Sequence, residues 1–349
     1  MTHSGMLHLA NGSVPLKPSS LSRALELASS PWEVNVVHVL SSWWSLSDSM
    51  EMKTSGSTGS PRLIQHSKAA IEASALRTLQ YFQLNPGARL ALAMPAEFVG
   101  GMMMVIRAAV GALELEVVEP RLTPSFSNST LDFVALTAAQ ARAMCASKRH
   151  AQQMEQWKVL LLGGAPVQSD WLGGLSKKLK VYESFGMTET ISHFAVRQVA
   201  PMLEDVFQCL PGIEVSSESN GALNVQLPNQ SIIQTNDAVE IVNSRTFRWL
   251  GRLDDVINTG GVKVHPSAIS ALLSSNITEP FVVYGRPHIG LGEEVVLRIH
   301  SHEEPQNACQ RRDELNRVFA SLLPRHHAPR AIEWKPMEKT LSGKWKSPR

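Results

Sequence analysis

The sequence predicts an α/β protein, with a large N-terminal domain followed by a small α+β domain at the C-terminal end. Three observations predict it. Short apolar strands alternate with amphipathic helices between residues 69 and 186, the pattern of a largely parallel sheet. Beyond Gly221 the pattern turns to consecutive strands, and after residue 266 to a short mixed set of helices and strands. The length of 349 residues suits two domains, and a hydrophobic fraction of 43% with 18% charged residues supplies their cores.

The elements follow in order. The spacing predicts an amphipathic helix over 69–84 that stops before Asn85-Pro86-Gly87. A buried strand over 89–94, a helix over 99–113 and a strand over 115–118 come next. A strand over 132–136 runs into Thr137, an N-cap for a helix over 138–146. The apolar strand 159–162 ends at Gly163-Gly164-Ala165-Pro166, and a helix is predicted from there through Lys178. Another strand, 180–185, ends at Gly186. Ligands collect at the carboxyl ends of parallel strands, which marks the loops at 163–166 and 184–190. Strands are then predicted at 222–227, 232–234, 238–242 and 246–250. The polar, glycine-bearing stretch GRLDDVINTGGVKVHP (251–266) precedes helix 267–273, strands 281–284 and 295–299, helix 311–322 and strand 331–334. The domain boundary is placed at 252/253, giving domains 1–252 and 253–349.

Composition excludes several classes. A net charge of +2 gives no reason to expect nucleic acid or a polybasic membrane contact. Cys145, Cys209 and Cys309 are scattered and odd in number, against a disulfide framework or a zinc site. The N-terminus lacks the basic start and apolar core of a signal peptide, and the apolar stretch 98–113 is too short to span a bilayer and carries Arg107. A cytoplasmic protein without membrane insertion is the expectation.

Four stretches carry chemistry. TSGSTGSPR (54–62) is rich in small and hydroxyl residues whose backbone N–H groups approach phosphate closely, but its glycines are too close for a Walker A loop. Alone, it reads equally well as a flexible connection. YESFGMTET (182–190) brings an aromatic, a glycine, a threonine and a glutamate to a strand end. WLGRLDDVINTGGVKVHP (249–266) holds an arginine, two aspartates and a Gly-Gly loop, and EKTLSGKWK (338–346) sets Lys344 in a glycine-flanked turn. Taken singly, Lys344 is a solvated charge, Glu189 a helix-start acid, Phe185 a core ring and Asp254 a turn residue.

In this order, and with TND (235–237) between the second and third, these stretches resemble the five motifs of the adenylate-forming, AMP-binding superfamily of acyl-CoA synthetases, adenylation domains and luciferases. The resemblance runs from residue 54 to 344. It implies a large domain of layered sheets and helices followed by a small mobile α+β domain. The implied partners are ATP, Mg²⁺, a small carboxylic acid and CoA, and a homodimer is left open. Thr54, Ser55, Gly56, Ser57, Thr58 and Gly59 would wrap the β- and γ-phosphates, and Glu189, beside Thr188, would help hold Mg²⁺, the two being implied catalytic residues. Gly163, Gly164 and Ala165 would let the backbone approach the base and acyl group, and Phe185 would stack on adenine, with Gly186 next to it in the nucleotide site. Asp237 and Arg252 would hold the ribose hydroxyls. Lys344 would stabilise charge between the attacking carboxylate and the α-phosphate. Asp254 falls at the hinge, where rotation would bring Gly260 and Gly261 to the CoA channel.

Within the superfamily, the brevity of the chain, FGMTETISH and PAEFVGGMMMVIRA resemble the compact o-succinylbenzoate–CoA ligases of menaquinone synthesis. That resemblance implies a dicarboxylic acid, one carboxylate reacting and the other needing a cation, for which Arg107 and His193 are the candidates. Read from residues alone, Arg107 either pairs with a buried acid or faces an anionic substrate, and His193 in ISHFAV suits a structural role equally. Three positions depart from the pattern: Arg62 for the loop lysine, Asn236 for the glycine of TGD, and Ala268 for a glutamate. Another aryl or acyl acid, loading of a carrier protein, and a catalytically silent nucleotide-binding homologue stay open.

Overall fold

The computed structural model describes residues 5–53, 62–127, 130–167, 169–175, 177–228, 230–338, 345 and 348. The chain packs as two units, one of Met1–Glu214 with Leu227–Ile233 and one of Val215–Gln226 with Gln234–Arg349.

The first unit begins with the hairpin β1 (Met6–Leu9) and β2 (Gly12–Pro15), then helices α1 (Leu21–Leu27) and α2 (Pro31–Trp43). A second hairpin, β3 (Ser49–Lys53) and β4 (Leu63–Ser67), flanks the glycine-rich stretch. There follow α3 (Lys68–Tyr81), β5 (Arg89–Leu92), α4 (Val99–Gly111), β6 (Glu114–Val117), β7 (Phe133–Thr137), α5 (Ala138–Cys145) and α6 (Lys148–Met154). The unit closes with β8 (Val159–Gly163), β9 (Lys180–Gly186), β10 (His193–Ala200) and β11 (Phe207–Cys209). Its strands order as β11-β10-β9-β8-β7-β5-β6-β1-β2, parallel from β9 to β1 as the alternating pattern predicts.

Local chemistry explains the elements. Thr137 caps α5 as expected: its hydroxyl accepts from Gln140 N at 3.1 Å, and Gln140 reaches back to Thr137 N at 3.0 Å. β7 and β8 are buried on both faces, and Val134, Leu136, Leu160 and Leu162 pack with Val181 of β9 on Met144, Met154 and Trp157. Each such side chain contributes about 1.5–3 kcal/mol by leaving water. α4 is buried along most of its length, including Met102 to Ala108, as its largely apolar character predicts.

Two expectations are corrected. Among the described residues between β8 and β9, a short 3₁₀ turn, Ser169–Gly174, stands in place of the helix predicted through Lys178. Gly173 and Gly174 each cost a helix about 1 kcal/mol relative to alanine, and the turn ends on them. Strands 232–234 and 238–242 are one strand, on which Thr235, Asp237 and Ala238 are buried, so TND lies within a ladder. The sequence reading left residues 5–53 unassigned; β1 extends the sheet at the edge of β6, in parallel register from Met6 opposite Glu114.

The second unit contains β12 (Glu214–Ser217), β13 (Ala222–Gln226), β14 (Ile233–Asn243) and β15 (Thr246–Arg252). A small sheet follows, built from β16 (Ile257–Thr259), β17 (Val262–Val264), β18 (Phe281–His288), β19 (Gly292–His300) and β20 (Ala331–Lys335). Helices α7 (Pro266–Leu273) and α8 (Ala308–Leu322) cover it, burying Ile269, Leu273, Leu315 and Phe319 against Val283, Val295 and Leu297. This is the α+β unit that the terminal pattern predicts.

Candidate active site

The carboxyl ends of β8 and β9 lie side by side in parallel register, Leu162 opposite Glu183. β8 ends on Gly163, followed by Gly164 at φ +83° and Ala165. Ser184 donates its hydroxyl to Leu162 O at 2.8 Å, pinning the two strand ends together. Buried Glu183 takes Arg197 Nε at 2.8 Å and Nη2 at 2.7 Å, while its other oxygen accepts Val167 N–H at 3.3 Å. Burial pushes the Glu183 carboxyl up, and Arg197 works against that rise. Phe185 is half-buried and meets Phe194 and Phe207 edge-on, with centroids 5.6 and 5.2 Å away. Gly186 is required for close approach: a Cβ there would lie 2.4 Å from His193 Cα and from Ser192 O.

The turn after Gly186 is held from within. Thr190 accepts Met187 N–H at 3.0 Å and sits 2.8 Å from Ser192 O. Ile191 is buried at φ +70°, a conformation costly for a β-branched residue and one that concentrates at functional sites. Thr188 is buried, whereas the Glu189 carboxylate is exposed and has no partner among the described residues. No cluster of three metal-binding side chains occurs among the described residues. A single exposed carboxylate fits Mg²⁺, which keeps waters and phosphate oxygens as its other ligands.

Arg107 and His193 come together in the interior. Arg107, on α4, is 2% exposed; its Nη2 donates to Ser192 Oγ at 2.7 Å and approaches His193 Nδ1 at 3.4 Å. Its Nε has no partner, and no carboxylate pairs with it among the described residues. Burial pushes its pKa down to about 9, so it stays charged at neutral pH. His193 Nε2 lies 3.3 Å from Thr78 Oγ1, whose hydroxyl donates to Ser74 O. This assigns the proton to Nε2 and leaves Nδ1 as acceptor towards Arg107. Burial first, then the charges of Arg107 and Arg77, hold the His193 pKa well below 6.5.

That shift carries a sign. A histidine kept neutral in the fold contributes stability above the unfolded value of 6.5, lost as pH falls below it. A His193→Gln variant is therefore expected to lose less stability than the parent between pH 7.5 and 5. Parallel curves of Tm against pH would refute the buried neutral imidazole.

In the second unit, antiparallel pairing sets Asp237 on β14 opposite Arg252 on β15. Buried Asp237 accepts Trp249 Nε1–H at 3.0 Å and lies 3.6 Å from Arg252 Nη1. Arg252 Nη2 is 3.9 Å from Asp254, which also accepts a hydrogen bond from Asn236. The asparagine that departs from TGD thus bonds the aspartate at the candidate hinge, a contact glycine could not make. Gly260 and Gly261, at φ +57° and +82°, form the two-residue turn between β16 and β17, where both positions require positive φ.

Thr54, Ser55, Gly56, Ser57, Thr58, Gly59 and Lys344 lie outside the described residues. The sequence reading missed His66, Thr78, Ser192 and Trp249. Ser192 and Trp249 lay within quoted stretches, but His66 and Thr78 carry no local pattern that marks them.

The model of the AMP-binding enzyme family matches residues 50–220. A solved acyl-CoA synthetase (AMP-forming)/AMP-acid ligase II-like protein from Dyadobacter fermentans is 30% identical, with a TM-score of 0.61 over 91% of this chain and 93% of that one. This chain belongs to the AMP-binding enzyme family, as its ordered motifs imply. The probable 2-succinylbenzoate–CoA ligase of Mycobacterium tuberculosis is 26% identical over 70% of this chain and 69% of its own length. The Bacillus subtilis o-succinylbenzoate–CoA synthetase, solved with ATP and magnesium, shares the fold at a TM-score of 0.70 and 20% identity, over 84% of this chain and 68% of that one. In sequence, this chain spans only 53% of the Bacillus subtilis ligase's length.

Proposed function

We propose that this protein activates o-succinylbenzoate with ATP as an acyl-adenylate, releasing pyrophosphate, and then transfers the acyl group to CoA, releasing AMP, as a step of menaquinone synthesis. The observation that carries the substrate is Arg107, a buried cation without a carboxylate partner among the described residues. A buried charge without a counter-ion is costly, and an anionic ligand offsets that cost. The second carboxylate of a dicarboxylic acid meets this need, with Ser192 and His193 orienting the guanidinium.

The remaining roles follow the family. Residues 54–59 hold the phosphates, Glu189 holds Mg²⁺ with Thr188 beside it as a further catalytic residue, and bound Mg²⁺ neutralises phosphate charge. Gly163, Gly164, Ala165, Phe185 and Gly186 receive the base and acyl group. Asp237, kept rigid by Trp249, and Arg252 accept and donate to the ribose hydroxyls. Asp254 is the hinge between domains 1–252 and 253–349, Gly260 and Gly261 admit CoA, and Lys344 assists the adenylation step. No described helix is long and apolar enough to cross a membrane, in keeping with the cytoplasmic location we infer.

ATP–pyrophosphate exchange with o-succinylbenzoate and a panel of monocarboxylic aryl acids tests this reading. Exchange is expected with o-succinylbenzoate, and CoA is expected to yield the thioester. Exchange driven equally well by benzoate would sink the dicarboxylate assignment, and no exchange with any acid would sink the enzyme itself.

A further inference from the structure

One side chain joins two stretches to which the family reading gives different parts of the nucleotide. His66 lies on β4, just after the glycine-rich stretch, opposite Met50 of β3. Its Nε2 lies 2.8 Å from the carbonyl oxygen of Thr188, 122 residues away and next to Glu189. A carbonyl oxygen can only accept, so His66 is the donor and carries its proton on Nε2. The same oxygen accepts Ile191 N–H at 2.9 Å, closing the turn that places Ile191 at φ +70°. Both lone pairs of Thr188 O are therefore used, one within the turn and one across to the β3–β4 hairpin. Thr188 is buried and His66 half-buried, so the bond is partly screened from water.

We propose that His66 is a positioning residue for the Mg²⁺–ATP site: its hydrogen bond sets the Thr188–Glu189 turn at a constant distance from the hairpin flanking residues 54–61. The inference rests on the reading above, in which residues 54–59 hold the phosphates and Glu189 the metal. Metal and phosphates must be met at one spacing, because Mg²⁺ tolerates little departure from octahedral geometry. His66 touches neither and acts through the turn.

The test measures binding of ATP with Mg²⁺, ATP with EDTA, and AMP to the parent protein, His66→Ala and His66→Gln. The glutamine amide carries an N–H near the position of Nε2. In the parent, Mg²⁺ is expected to tighten ATP binding. His66→Ala is expected to lose about tenfold in affinity for Mg²⁺–ATP, about 1.4 kcal/mol, with AMP affinity unchanged. His66→Gln is expected to recover most of that loss. A general loosening of the fold would weaken AMP as much as Mg²⁺–ATP, which would overturn the positioning role. Unchanged Mg²⁺–ATP affinity in His66→Ala, or no recovery in a folded His66→Gln, would overturn the inference while leaving the proposed function standing. A parent protein that binds no ATP would overturn both.

Discussion

Replacing Arg107 with methionine is expected to raise the KM for o-succinylbenzoate about 100-fold while the KM for ATP stays unchanged. Losing one partner of a buried, hydrogen-bonded charge pair costs roughly 2–5 kcal/mol, and 100-fold is about 2.7 kcal/mol. The same substitution is expected to stabilise the ligand-free protein. Arg107 is 2% exposed, without a carboxylate among the described residues, and burial already pulls its pKa down to about 9. Replacing such a buried charge by an apolar side chain of similar volume is neutral or stabilising by about 1–4 kcal/mol. Ser192 Oγ and His193 Nδ1, 3.3 Å apart, can bond each other once the guanidinium is gone. Steady-state kinetics and thermal unfolding of one variant read both effects. A fall in Tm with an unchanged KM for the acid would show Arg107 to be a structural residue and remove the argument for a dicarboxylate.

Lys344→Ala is expected to slow adenylation by about 10²–10³, the usual loss when one donor to developing charge is removed. Pyrophosphate exchange should show this in kcat with ATP affinity little changed, because the lysine acts on charge that exists only in the transition state. Thioester formation from supplied acyl-adenylate should proceed at the parent rate, since the role proposed for Lys344 is confined to adenylation. Exchange at the parent rate would refute the role. An equal loss in both steps would show that the substitution disturbs the domain rather than the chemistry.

Much of the parallel core was legible because its strands are buried on both faces, and an apolar run such as 159–162 has little other use in a soluble domain. The cap at Thr137 was legible because capping is local. The predicted helix up to Lys178 failed because its periodicity was read through two adjacent glycines, whose backbone cost outweighed it. The long strand β14 was read as two with TND left between them; pairing with β15, which sets Asp237 beside Trp249 and Arg252, makes it one.

What the sequence by itself determined is the family and the order of its motifs: backbone approach to phosphate, a metal-binding carboxylate and a terminal lysine each need particular residue types at short spacing. What only the tertiary structure decided is which distant side chains meet. Arg107 with Ser192 and His193, Asn236 with Asp254, and His66 with the Thr188 carbonyl are separated by 85 and 86, 18 and 122 residues. No local period records such pairs, because they arise from strand register and helix packing. Whether a buried charge has a counter-ion is likewise settled only when the elements around it are in place.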